Sequence, residues 1–203
     1  NTTGSGNTAN GCGALYYNGT GSDNTAIGYL ALASNTESYN TAVGSGALRN
    51  NYTFGTDNTA IGYRALYINS TGGYNTASGA NALTANTTGG GNTAVGSDAL
   101  FKNTIGGGNA AIGYRALYNS TTGTFNTAIG YYALYNTATH GQNVAIGTYA
   151  LFSNLIGTSN VAIGMQTLNA NTEGTNNTAV GTLALQNNTT GIHNTAIGHN
   201  AGA

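Results

Sequence analysis

The strongest constraint on this chain is a phrase that returns every seventeen residues. One copy opens Asn24-Thr25-Ala26-Ile27-Gly28-Tyr29-Leu30-Ala31-Leu32, and the phrase also starts at Asn7, Asn40, Asn58, Asn75, Asn92, Asn109, Asn126, Asn143, Asn160, Asn177 and Asn194. Twelve copies therefore run through residues 1–203 as a single array, with no second domain. The spacing is 17 throughout, except for a step of 16 (Asn24 to Asn40) and a step of 18 (Asn40 to Asn58), which cancel. The consensus is Asn-Thr-Ala-Ile/Val-Gly-x-x-Ala-Leu-x-x-Asn-x-Thr-Gly-x-x. Its positions 1, 3 and 5 (Asn, Ala and Gly) are identical in all twelve copies.

Seventeen residues are too few for a helical-hairpin repeat, which needs about 34. Gly, Asn and Thr in every copy also disfavour helix. Two short strands per copy fit better, Thr-Ala-Ile-Gly-Tyr and Ala-Leu-Tyr, with Gly, Asn and Thr at the corners. The expected fold is all-β: a β-solenoid, or parallel β-roll, of about twelve 17-residue coils stacked about 4.8 Å apart.

In such a stack each repeat position sits above its equivalent. Asn24, Asn58, Asn75, Asn92, Asn109, Asn126, Asn143, Asn160, Asn177 and Asn194 are then expected to form a structural ladder, their amides bonding along the axis. The Ile/Val and Leu positions are expected inside the coil. Ala and Gly then fall on the opposite, nearly flat face of the strand. Two large apolar side chains per coil weigh little against ordering seventeen backbones. Burial of the Ala/Gly face between chains is therefore expected, and with it a homotrimer. The array starts and stops partway through a copy and carries no atypical capping copy, which solenoids ordinarily have. This predicts a segment of a longer chain, or ends that meet other subunits.

Charged residues make up 4% of the chain, where about 25% is typical, and the net charge is −1. With no basic patch, nucleic acid is not an expected partner. No apolar run approaches the roughly 20 residues of a membrane span, so membrane insertion is not expected. Cys12 is the single cysteine and supports neither an internal disulfide nor a thiolate metal site. His140, His193 and His199 lack further ligands nearby, and carboxylates are too scarce to complete a metal site. Five scattered acids give no acid–base pair, and no Gly-x-Ser-x-Gly elbow occurs. No catalytic residue, metal or cofactor is expected, and the chain does not read as an enzyme.

The phrases Asn143-Val144-Ala145-Ile146-Gly147 and Asn160-Val161-Ala162-Ile163-Gly164 resemble the head repeats of trimeric autotransporter adhesins. The longer phrase Asn-Thr-Ala-Ile-Gly-Tyr-x-Ala-Leu, followed by Asn-x-Thr-Gly, is similar to repeat regions of phage-type tail-fibre proteins. The resemblance implies intertwined parallel β-rolls and a structural or adhesive role: the shaft or head of an extracellular fibre at a cell or virion surface. It implies self-association, as a homotrimer or end to end, and attachment to a surface glycan or host receptor.

Three further patterns carry expectations. Tyr29, Tyr63, Tyr114 and Tyr131 share position 6, while Tyr16, Tyr67, Phe101, Tyr118, Tyr135 and Phe152 lie at or beside position 10. Such rings stabilise adjacent strands; alternatively they form a glycan-binding stripe. Asn-x-Ser/Thr sequons at Asn1, Asn18, Asn51, Asn69, Asn86, Asn119, Asn187 and Asn188 read as turn residues, or as N-glycosylation acceptors in a glycosylating host. Thr fills position 2 in nine of the twelve copies, which leaves an ice-binding solenoid as a third class. Ala110, Val144 and Val161 interrupt that rank.

Overall fold

The computed structural model describes residues 2–52 and 54–203. Asn1, and Thr53 of the Asn51 sequon, lie outside the described residues. The chain winds as a parallel β-solenoid of about eleven turns. Twelve three-residue strands, from Thr8–Asn10 to Thr195–Ile197, pair in strict chain order in one parallel sheet. Each strand covers repeat positions 2–4, and pairing joins like position to like. Ala110, standing where most copies have Thr, pairs with Thr127, while Ala111 pairs with Ala128 and Ile112 with Ile129.

Backbone hydrogen bonds run along the stack in both directions. Thr25 N–H donates to the Asn40 carbonyl of the next coil at 2.9 Å, and Gly28 N–H to the Asn10 carbonyl of the previous one at 2.8 Å.

The inward side of the strand is the reverse of the sequence expectation. Ala26, Ala60, Ala94 and Ala128 at position 3 are fully buried, whereas Ile27, Ile61, Ile112 and Ile129 at position 4 stand on the outer surface. The interior consists of five columns: Asn at position 1, Ala at 3, Ala at 8, Leu at 9 and Asn at 12. So narrow a tube admits one long aliphatic side chain per coil, and Leu32, Leu66, Leu100 and Leu134 supply it. A second branched side chain from the strand would overfill the interior, so the strand turns its alanine inward and its Ile or Val outward. The Ala column is thus the inside of the coil and not a face for another chain. Where Thr167 replaces the position-8 Ala, its hydroxyl is satisfied by donating to the Gly181 carbonyl at 2.7 Å.

The expected Ala-Leu strand is a corner instead. The position-9 leucines have φ between +45° (Leu48) and +53° (Leu83), the left-handed region that L-residues enter at a cost of roughly 1–2 kcal/mol. Positions 7 and 17 do the same at Arg115 (φ +54°) and Tyr74 (φ +60°). Stacking holds these conformations in place: Leu117 N–H donates to the Ala133 carbonyl of the next coil at 3.0 Å. Among the described residues only three coils add a second pairing, Ser34–Asn35, Asn50–Asn51 and Ile68–Asn69.

Position 5 must be Gly. At Gly130, φ is +138° and a Cβ would lie 2.6 Å from the Gly147 carbonyl oxygen of the next coil. The glycine column therefore lets one coil seat directly on another.

The first-position asparagines form a continuous ladder. Each Oδ1 accepts the backbone N–H of the next asparagine, as in Asn75 N–H to Asn58 Oδ1 at 2.9 Å and Asn92 N–H to Asn75 Oδ1 at 3.0 Å. The Nδ2 groups donate to the carbonyl at or near position 15 of their own coil, as Asn75 does to Gly89 at 2.9 Å. A second ladder, at position 12, lies outside the sequence expectations. Asn51 donates to Asn35 at 2.7 Å, Asn69 to Asn51 at 2.8 Å and Asn86 to Asn69 at 2.9 Å. Its amides reach the same position-15 carbonyls, Asn86 to Gly89 at 2.8 Å. The Gly89 carbonyl thus accepts from both ladders, which uses both of its lone pairs.

The irregular spacings fall between positions 12 and 15. In the 16-residue coil the Glu37 carbonyl accepts from Asn35 two residues back, and in the 18-residue coil Gly55 accepts from Asn51 four residues back. The corner absorbs the slip, and both ladders stay in register.

Candidate functional site

Beyond the glycine column the chain turns through position 7, and the side chains of positions 6, 7, 10 and 11 form a ridge along the rod. All four cations of the chain lie on it, each with its charge within 6 Å of a tyrosine ring centre: Arg49, Arg64, Lys102 and Arg115. The aromatic faces partly offset the cations where the surface has few acids. The coil that starts at Asn75 has Ala80, Asn81 and Thr84 at ridge positions 6, 7 and 10, and it divides the ridge into two patches.

The second patch is self-satisfied. Phe101, Tyr118, Tyr135 and Phe152 stack in successive coils with centroids 5.1, 5.3 and 5.4 Å apart. Beside them Tyr114 stacks on Tyr131 at 5.4 Å, and Tyr132 on Tyr149 at 5.6 Å. Arg115 pairs with Asp98 at 3.2 Å and donates to the Tyr132 hydroxyl at 3.0 Å, while Asn81 donates to Asp98 at 3.2 Å. The bonds to Tyr132 and Asp98 hold the guanidinium in its charged form well above the usual arginine range, the Tyr132 bond being the larger cause. Partial burial raises the pKa of Tyr114 and Tyr131 above the ordinary phenol value; Arg115 opposes the shift at Tyr114, and Tyr132 reinforces it at Tyr131.

The first patch is open. Tyr29 and Tyr63 occupy the same rank as Tyr114 and Tyr131 but stand two coils apart, with Ser45 between them. A cleft of about 170 Å³ opens there, lined by Tyr29, Leu30, Ser45, Gly46, Arg49, Tyr63, Arg64 and Tyr67. Arg49 donates to the Tyr67 hydroxyl at 3.0 Å, and the Arg64 guanidinium lies 5.3 Å from the centre of the same ring. Among the described residues the one salt bridge is Arg115–Asp98, so neither Arg49 nor Arg64 has an acidic partner. A larger hollow of about 460 Å³ adjoins this cleft, lined by Cys12, Tyr16, Tyr17, Ala33 and Arg49 among others, and Cys12 is free and exposed.

The four tyrosines singled out in the sequence are therefore two different things: a stacked pair at Tyr114 and Tyr131, and a separated pair at Tyr29 and Tyr63. Sequence reasoning missed the cations as ridge members, although their shared repeat positions (7, 10 and 11) are readable from the sequence.

The sequons also divide. Asn18, Asn51, Asn69 and Asn86 are buried within the position-12 ladder, so an attached glycan would have to be housed inside the coil. The acceptor reading does not suit these four buried side chains; at the corner each donates to a carbonyl three or four residues on, as Asn69 does to Gly72 at 2.7 Å and Asn51 to Gly55 at 2.7 Å. Asn188 donates to Asn171 at 2.9 Å at the end of the same ladder. Asn119 is half-buried, with its amide on Asn136 at 3.3 Å, and Asn187 is exposed.

His193 and His199 are exposed, and the His140 carbonyl accepts from Asn126 at 3.1 Å in the first-position ladder. Among the described residues no cluster of three or more His, Cys, Asp or Glu side chains could hold a metal ion, and no helix is long and apolar enough to cross a membrane. Comparison with protein-family models, with curated proteins and with solved structures gives no match.

Proposed function

We propose that this chain is a structural and adhesive fibre segment, a self-associating rod at a cell or virion surface, with no catalytic role. The observation that carries this reading is the position-4 column. Ile27, Ile61, Val95, Ile112, Ile129 and Ile163 stand exposed in one rank along the sheet, with Ser78 between Ile61 and Val95. With coils about 4.8 Å apart the ribbon is about 50 Å long, and a three-residue strand makes it about 10 Å wide. About half of that ribbon, on the order of 250 Å², is the apolar position-4 rank and the rest is the position-2 rank, mostly Thr, so what sets this face apart is an ordered apolar row and not its area. No charged residue occurs at positions 2 to 4 in any copy. A second and third copy of the same chain fit this ribbon, because identical rods present identical periods. The homotrimer expected from the sequence would then join through Ile/Val and not through Ala/Gly.

Light scattering on a size-exclusion column tests the reading. A mass about three times 20.3 kDa is expected. A clean monomer at high concentration would remove the self-association on which the fibre reading depends.

A second reading draws on the same face. Thr at position 2 and Ile or Val at position 4 both point outward, so the sheet presents two parallel ranks suited to ordering water as an ice-binding surface. Thermal hysteresis in a monomeric preparation supports it, and its absence at high concentration removes it.

A further inference from the structure

We infer that the cleft between Tyr29 and Tyr63 is a binding site for a carboxylate-bearing pyranose, the unit that uronic-acid polysaccharides and sialylated glycans share. This deepens the attachment half of the fibre reading and is independent of the oligomeric state.

The cleft arises from a local change in the repeat. Position 6 is Tyr in the coils that start at Asn24 and Asn58, and Ser45 in the coil between; position 7 of that coil is Gly46. Two coil steps separate the tyrosines by about 9.5 Å along the axis. Carbon atoms pack at roughly 3.5–4.0 Å, so this gap has room for one saturated ring against Tyr29, its other wall being Tyr63 with the Arg64 guanidinium 5.2 Å from the centre of that ring. Where tyrosines occupy adjacent coils, as at Tyr114 and Tyr131, the rings close on each other at 5.4 Å and leave no such gap.

The charge in the cleft is unbalanced in one direction. Arg49 and Arg64 are two of the four cations of the chain, and both line this one cleft without an acidic partner. Tyr67 lies beside both guanidiniums, 5.8 Å from Arg49 and 5.3 Å from Arg64 by its ring centre, and its hydroxyl accepts from Arg49. Guanidinium groups held in this way suit a planar carboxylate. The Tyr29 face suits the C–H face of the sugar, and the exposed Ser45 in the coil between the two tyrosines supplies a hydroxyl for its ring substituents. Neutral sugars lack the anionic group that the arginines call for, and nucleic acid, which needs many cations in a row, has only two here.

The test is calorimetric titration of the intact chain with a glucuronic-acid-containing tetrasaccharide, with its carboxyl-reduced neutral form, and with a sialyl trisaccharide. Saturable binding of at least one acidic sugar is expected, at least ten-fold tighter than the neutral form and weakened by salt. Ser45→Tyr, which extends a ladder the protein already builds elsewhere, should abolish binding with the melting temperature unchanged. Arg64→Gln, at an exposed position, should weaken it at least ten-fold and serves equally if Ser45→Tyr disturbs folding. Tyr114→Phe with Tyr131→Phe should leave binding intact. Which acidic sugar binds identifies the source of the carboxylate. Absence of binding at millimolar sugar, equal affinity for the neutral form, or full binding by both Ser45→Tyr and Arg64→Gln would overturn the assignment, whatever mass the chain shows in solution.

Discussion

Asn103 and Ser120 occupy the same inward position in successive coils, and neither the Asn103 Oδ1 nor the Ser120 Oγ has a hydrogen-bond partner, although both are buried. The position-12 ladder runs unbroken from Asn18 to Asn103 and resumes at Asn154, with Ser120 and Thr137 between. Ser has a single short hydroxyl in place of an amide, so it reaches neither the neighbouring coil nor the carbonyl at position 15. Replacing both residues, Ser120→Asn with Thr137→Asn, should restore the ladder and stabilise the fold by about 1–3 kcal/mol, the cost of leaving such groups unpaired. Ser120→Asn alone should gain less, since its own Oδ1 would still face Thr137. Denaturant melts of the parent chain and both variants check this; no gain in the double variant would mean that the gap is relieved in another way.

The glycine column allows a matched pair of substitutions. Gly130→Ala would force a Cβ to 2.6 Å from a backbone oxygen, whereas nothing lies within 4 Å of a Cβ at Gly198, where φ is a similar +124°. The backbone strain is shared and the clash is not. Gly130→Ala should cost more than about 3 kcal/mol, and Gly198→Ala about 1 kcal/mol. Equal melting temperatures would contradict coil-on-coil packing through this column.

Leu117 and Ile112 belong to one coil and lie on opposite sides of its wall: Leu117 is fully buried and Ile112 is 39% exposed. Leu117→Ala should destabilise by about 2–5 kcal/mol. Ile112→Ser with Ile129→Ser should change monomer stability by less than about 1 kcal/mol, since Ser78 already occupies this rank. The same pair should lower the native mass if the ribbon joins copies of the chain. Light scattering and thermal melts on the same samples separate the two effects.

The ridge should give the protein an alkaline limit. Tyr114 and Tyr131 keep their protons above the ordinary phenol value of 10.0 in the folded chain, chiefly because partial burial disfavours the charged ring oxygen. Above that pH the unfolded chain binds fewer protons than the folded one, so stability falls as pH rises. The contribution is complete below pH 10.0 and is lost as pH rises through the raised values. A tyrosinate absorbance titration should show a late-ionising class that Tyr114→Phe with Tyr131→Phe removes. A single ionisation step in the parent chain would contradict the shift.

Much of the fold is legible in the spacing of Asn24, Asn40 and Asn58. A step of 16 followed by one of 18 makes sense only if each copy closes one turn and like positions stack, as they do. The Asn ladder at position 1 follows from the same stacking. The ladder at Asn51, Asn69 and Asn86 is harder to see, because an Asn-x-Thr beside glycine reads equally well as a surface turn. Its inward direction depends on the path of the corner between positions 9 and 12, which no local signal specifies. The cleft is hidden for a related reason: Ser45 is an ordinary residue until the rings of Tyr29 and Tyr63 are set one coil to either side of it.

The seventeen-residue period by itself determined that this protein is a stack of like coils, which residues share a column, and that the slip between Asn24 and Asn58 is absorbed within two coils. Only the tertiary structure decided which side of each column faces in. Alternation along a strand puts Ala26 and Ile27 on opposite faces but does not say which face is the core. Hydrophobicity alone would bury Ile27. The cross-section of the closed coil reverses that choice, because Leu32, held at φ +49°, already fills the interior and leaves room on the strand side only for the methyl group of Ala26.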